Sequence, residues 1–101
     1  MTLTEPRHEL NWKRLQDMPV AKWEPASLVL NDKLIVLGGY GNKIKTSRRV
    51  HSFDPADGAQ GSWTELQLLP SAISHINLVA DGNGFWFAGG MKDKPSREVL
   101  D

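Results

Sequence analysis

The 101-residue sequence has no cysteine, no net charge and no apolar run longer than four residues. Without cysteine there is no disulfide framework, no thiolate zinc site and no cysteine nucleophile. Twelve basic side chains are balanced by twelve acidic ones, which removes the electrostatic footprint of a nucleic-acid or acidic-membrane binder. A run such as Leu34–Leu37 is far short of the ~20 residues a helix needs to cross a bilayer. The opening MTLTEPRHEL lacks the apolar core of a signal peptide. By default the expectation is a soluble, cytoplasmic chain with neither a membrane nor a nucleic acid as partner. Helix-length amphipathic runs are also missing. What remains is ordinary globular material, 40% apolar with nine glycines, enough for one small domain burying about 60–65% of its unfolded surface.

The organisation of this material is repetitive. Trp12 and Trp63 lie 51 residues apart, as do Leu15 and Leu66, Pro19 and Pro70, and the glycine pairs Gly38-Gly39 and Gly89-Gly90. Between these anchors SLVLND aligns with NLVADG at an offset of 50, and after the glycines SRRV aligns with SREV at 49. A period near fifty residues marks stacked supersecondary units. Each unit reads as short strands separated by turns. Strand one is Ser27–Leu30, or about Ile76–Ala80, followed by Asn31-Asp32 or the run Asp81-Gly82-Asn83-Gly84, both turn chemistry and the latter suited to a tight hairpin. Strand two, Leu34–Leu37 or Phe85–Ala88, is apolar at every position, the pattern of a strand covered on both faces. Strand three spans about Arg49–Phe53, and strand four is Ser62–Leu66 with an earlier partial copy at Asn11–Leu15.

An apolar run ending in Gly-Gly, an aromatic third strand and a tryptophan opening the fourth resemble the kelch repeat, the blade of one class of β-propeller. In unit one these are LIVLGG, RRVHSFDP and SWTEL; in unit two, FWFAGG and SREVLD. The residues carrying the resemblance are Gly38, Gly39, Phe53, Trp63, Gly89, Gly90 and Trp12. Phe53 stands where the family usually has tyrosine, keeping the ring and losing the hydroxyl. The resemblance implies an all-β fold of four-stranded antiparallel blades, two blades to the chain. The expected divisions are a tail over 1–10, the fourth strand of a split blade over 11–19, a complete blade over 20–70, and the first three strands of the split blade over 71–101. Two blades cannot close a ring of roughly 4–8. The chain is therefore either part of a longer propeller or one copy in a homo-oligomer, and six blades as a cyclic trimer is the favoured count. In that trimer the Trp12 strand of each copy completes the split blade of its neighbour.

Most aromatics at repeat positions read as inter-blade packing rather than a sugar-stacking platform. Trp23 has no aromatic counterpart in unit two and is equally a site aromatic and a plug over a blade edge. His75 precedes strand one of unit two, near the central opening that the resemblance implies. There a structural role weighs more than ligand binding or proton transfer. Glu24 is the carboxylate closest in sequence to that opening. Trp23, Glu24 and His75 are therefore the ligand-binding candidates. Three scattered histidines make no metal-site spacing, so neither metal nor cofactor is expected, and no catalytic residue is assigned. Lys43, Lys45, Arg48 and Arg49 form a basic cluster after the first glycine pair, read as a solvated loop, with a phosphate or acidic partner as the alternative.

The resemblance implies a non-enzymatic scaffold or protein-binding module. The alternative is a sugar-binding or sugar-active propeller resembling a sialic acid mutarotase. Copper chemistry of the galactose oxidase kind is disfavoured by the absence of cysteine and a single tyrosine, Tyr40. A third reading is a propeller fragment or half-ring, beginning on a fourth strand and ending at Asp101 within a third.

Overall fold

The computed structural model describes residues 10–41, 45–92 and 98–99. Its strands are β1 (Ala26–Leu30), β2 (Lys33–Leu37), β3 (Val50–Asp54), β4 (Ser62–Glu65), β5 (Ile73–Ser74), β6 (Asn77–Asp81), β7 (Gly84–Ala88), β8 (Met91–Lys92) and β9 (Glu98–Val99). Strands β1 to β4 form a four-stranded antiparallel meander, β6 pairs with β7, and β5, β8 and β9 form a separate short sheet. The all-β blade expected for unit one is present. Turn chemistry explains the two long hairpins. Asn31 and Asp32 sit at φ +51 and +62, the conformation a two-residue type I′ turn requires and short polar side chains tolerate. In the β6–β7 turn the first central residue is Gly82, at φ +59.

The turns also correct the phase of the repeat. Residues 31–32 of the first hairpin correspond to 82–83 of the second, because Leu30 faces Lys33 and Asp81 faces Gly84. The offset is therefore 51 through both strands, not 50 in strand one. A one-residue slip exchanges the two faces of a strand, so this changes which side chains are equivalent. Leu28 corresponds to Val79, and Ser27 to Leu78. One face of unit one, here called leading, carries Ala26, Leu28, Ile35, Leu37 and Val50; the other, trailing, carries Val29, Leu34, Val36, His51 and Phe53. In unit two the leading face holds Val79, Trp86 and Ala88, and the trailing face Leu78, Ala80, Phe85 and Phe87.

The core forms where the two units meet. Ala26, Ile35, Leu37 and Val50 from the leading face of unit one cluster with Leu69, Ile73 and Ile76, and Leu78 and Phe85 of the trailing face of unit two pack against them. Strand β2 is buried on both faces, with Ile35 and Val36 each 6% exposed, as its unbroken apolar run predicts. Strand β7, with a similar run, differs: Trp86 is 69% exposed. Both strands have the composition of a covered strand, and only β2 has a neighbour on each side within the chain. On the trailing face of unit one, Phe53 and Trp63 pack with ring centroids 4.8 Å apart.

A second ladder runs across the lead-in segments. Trp23 bridges Tyr40, Tyr40 bridges Thr46, and Ser47 bridges Ile73 of β5, which continues through β8 to β9. Each unit thus supplies three rungs: 23, 40 and 46–47 from the first, 73–74, 91–92 and 98–99 from the second. This corrects the reading of SREV as a third blade strand beside β7. Val99 of β9 pairs with Met91 as Thr46 pairs with Tyr40, so the loop after the second glycine pair is longer by two residues rather than shorter. No counterpart of β3 lies beside β7 among the described residues. Residues 11–19 form no strand in this chain. They run along the β3–β4 connection, where Gln16 N donates to Gln60 O (3.0 Å) and Trp63 Nε1 to Gln16 O (2.8 Å), leaving Trp12 91% exposed. The expected tail lies outside the described residues apart from Leu10, as does Asp101.

The glycine pair joins the two units. Gly39 N donates to Ile73 O at 2.9 Å. Gly38 sits at φ +66, and a Cβ there would stand 2.5 Å from that same oxygen. Gly58, at φ +77, has nothing within 4 Å of the equivalent position. Gly58→Ala should therefore cost only the left-handed backbone penalty, about 1–2 kcal/mol. Gly38→Ala adds displacement of β5 and should cost about 3 kcal/mol or more; urea midpoints of the two variants measure the difference, and equal losses would contradict the seating of Ile73.

His51 is a second constraint on unit one. It is 1% exposed, its Nδ1 has no hydrogen-bond partner, and its Nε2 lies 3.9 Å from Glu65 Oε1. Burial, assisted by the Lys22 charge and opposed by Glu65, holds the imidazole below its usual pKa. The folded chain therefore keeps His51 neutral, and the unfolded chain takes up the proton first as pH falls through about 6.5. Stability should decline from pH 7 to 5, and His51→Gln should flatten that decline in urea titrations at several pH values; an unchanged slope would exclude His51 as its source.

Candidate functional site

The corner between the short ladder and each blade hairpin turns on one residue. In unit one it is Glu24, at φ +52; 51 residues later it is His75, at φ +56. Both are non-glycine residues in the left-handed region, a conformation costing about 1–3 kcal/mol that persists only where the surroundings enforce it. The enforcement is visible on both sides. Trp23 is held by paired hydrogen bonds with Tyr40, at 2.8 and 2.9 Å, and His75 N donates to Glu24 O at 3.5 Å. Ser74, the counterpart of Trp23, is fully buried, and its Oγ lies 2.9 Å from His75 Nδ1.

The arrangement brings all three candidates into one patch where the two units meet. Glu24 Oε2 is 3.9 Å from His75 Nε2. The His75 ring lies nearly parallel to that of Tyr40, at 16° with centroids 6.0 Å apart, and Tyr40 in turn meets Trp23 at 6.0 Å and 60°. Tyr40 is the member that sequence reasoning left out. Its signal was available in its place directly after Gly39, because the glycine pair turns the chain back toward the lead-in segment that carries Trp23. The Trp23 side chain is largely exposed and His75 partly so. The patch therefore offers the Trp23 ring, a half-buried phenol, a carboxylate and an imidazole to solvent. Such a surface can stack on the apolar face of a ring and accept or donate hydrogen bonds at its rim.

In unit two Gly90 repeats the surroundings of Gly39, which meets Trp23 O and Pro25, but Gly89 does not repeat those of Gly38. A Cβ on Gly90 would meet Ile76 Cγ2 and Ser74 O, whereas around Gly89 no atom lies within 4 Å of that position. The place that Ile73 takes over Gly38 is thus open over Gly89. Among the described residues no group of three or more His, Cys, Asp or Glu is placed to hold a metal ion, and no helix is long and apolar enough to cross a membrane.

No family model matches the chain. Three curated proteins are similar to it. Beta-scruin of Limulus polyphemus is 29% identical over 80 residues, covering 79% of this chain and 8% of that protein. A kelch repeat-containing protein of Arabidopsis thaliana is 29% identical over 87 residues, 84% of this chain and 20% of its own length. A kelch-like protein of Aspergillus terreus is 26% identical over 82 residues, 77% of this chain and 17% of its own length. The chain thus spans between 8% and 20% of the length of these relatives. The four-stranded unit, the glycine pair seated against the next unit and these similarities together support a likeness to kelch-repeat proteins.

Proposed function

We propose that the chain is a non-enzymatic two-blade module that completes a propeller by adding further blades to its outer faces and serves as a protein-binding scaffold. One observation carries this reading. The leading face of unit one already packs on the trailing face of unit two, while the leading face of unit two is left open and the trailing face of unit one is open at β1, beside the buried Val36, His51 and Phe53. Val79 and Trp86 are 64% and 69% exposed on the leading side, and Val29 is 68% exposed on the trailing side. A leading face covered by a trailing face is a heterologous contact that closes by rotation. Copies of this chain satisfy it, and six blades make a cyclic trimer. In that ring the Lys22 carbonyl of the next copy takes over Gly89 the place that Ile73 holds over Gly38, because Lys22 corresponds to Ile73. The segment around Trp12, which pairs with no strand within its own chain, supplies the fourth strand of its neighbour's blade. The exposed loops at the blade ends are the surface for a protein partner.

Sedimentation equilibrium should give three times the 11.3 kDa chain mass. Trp86→Glu places a charge in the contact and should reduce this to the monomer with β-sheet signal retained. Trp12→Ala should lower the assembly state if the strand is exchanged. A wild-type monomer with native β signal would overturn the ring, and an unchanged mass and stability for the Trp12 variant would overturn the exchange alone.

A second reading is supported by the junction patch. Trp23 and Tyr40 beside Glu24 and His75 have the composition of a carbohydrate site, as in a sialic acid-binding propeller. Saturation-transfer NMR with sialic acid and common hexoses should show transfer to ring protons that Trp23→Ala removes; no transfer from any of these sugars would dismiss this reading.

A further inference from the structure

Away from the junction patch, the basic cluster after the first glycine pair forms one wall of an open cavity of about 470 Å³. Lys22 from the lead-in segment, and Lys45, Arg48 and Arg49 from the loop, face it together with the hydroxyl residues Thr46 and Ser47, and no carboxylate lines it among the described residues. Lys43, part of the sequence cluster, lies outside the described residues. The cations are tethered through neutral groups. Lys22 Nζ donates to Arg49 O at 3.0 Å, and Arg48 Nε donates to Leu69 O at 2.7 Å, which fixes the guanidinium stem. Arg49 Nε has a carboxylate in reach, Glu65 Oε1 at 3.7 Å, an exposed and loose pair. Burial and the neighbouring Arg49 charge hold the Lys22 ammonium below its usual pKa, against a smaller effect of Glu65. Like charges are therefore gathered in a concavity whose own walls supply no counter-charge.

We propose that this cavity is a binding site for a phosphomonoester dianion. Two guanidinium groups present planar forks that match phosphate oxygens, and two ammonium groups add point charge. The cavity falls in the size range of small-ligand sites, about 300–1,000 Å³, and is larger than a bare phosphate ion, so the phosphate arrives attached to a further group. All lining residues belong to unit one and its connection into unit two, and the site is complete within one chain. It is independent of the carbohydrate reading.

The test is a titration followed by amide NMR shifts, with inorganic phosphate, glucose 6-phosphate and an acetylated Gly-phosphoserine-Gly amide as probes. All three should shift Gly41, Thr46 to Arg49 and Ala72, and the unphosphorylated peptide should shift none. Tighter binding of the phosphopeptide assigns the site to a phosphorylated protein side chain, and tighter binding of the sugar phosphate to a free metabolite. Lys45→Gln, in an exposed side chain outside the core, should weaken binding several-fold, and Lys45→Gln with Arg48→Gln at least tenfold; Lys33→Gln, on the opposite end of β2, should change nothing. Equal losses for the Lys33 and Lys45 variants, or shifts scattered over the surface, would overturn the proposal. Retained affinity in the double variant would do the same, marking adventitious ion binding only.

Discussion

The carbonyl of Ile73, lying against Gly38 and accepting a hydrogen bond from Gly39, is the contact on which the rest of this structure depends. It brings the lead-in of the second unit to the turn that ends β2. From there the chain continues into the corner at His75, and the adjoining Ile76 enters the core beside Leu37 and Val50. A side chain at Gly38 would push that lead-in away and open the apolar contact behind it. The glycine pair thus acts less as the end of a strand than as the surface on which the next blade is mounted.

The same mounting generates the junction patch. Because the lead-ins of the two units are held in one continuous ladder, their corner residues are neighbours, and Glu24 comes within 3.9 Å of His75 although 51 positions separate them. Repeat geometry alone places corner side chains side by side at each inter-blade junction. Their chemistry is what individualises a junction: Trp23 and Tyr40 stand on one side, and their counterparts Ser74 and Met91 on the other. Both corner residues adopt left-handed backbone without being glycine, a cost borne by the hydrogen bonds that flank them.

Energetically, the outer faces matter as much as the core. The leading face of unit two presents Val79 and Trp86 to water, and on the trailing face of unit one Val29 is exposed beside the buried Val36, His51 and Phe53. Burying such large side chains is favourable by about 1.5–3 kcal/mol each. The pattern is that of a stack extended by adding equivalent units. On the trailing face of unit one, His51 is buried without a partner for Nδ1, so that face is also the more sensitive to acid.

Much of this was legible in the residues. The strands, the hairpin turns at Asn31-Asp32 and Gly82-Asn83, the period near 51 and the need for glycine after each apolar run follow from local sterics and hydrogen bonding, which neighbouring residues dictate. Trp23, Glu24 and His75 were also visible as candidates by their place before strand one. The alignment of SLVLND with NLVADG went astray by one position because identity of side chains is blind to where a turn falls, and a single residue exchanges the faces of a strand. Likewise SREV carries the letters of SRRV, yet its valine pairs with Met91. The sequence by itself determined which segments become strands and where backbone must turn left-handed. Tertiary structure alone decided which faces meet, and that Trp86 remains exposed where the similar run around Ile35 is buried, because pairing and burial depend on contacts between residues far apart in the chain.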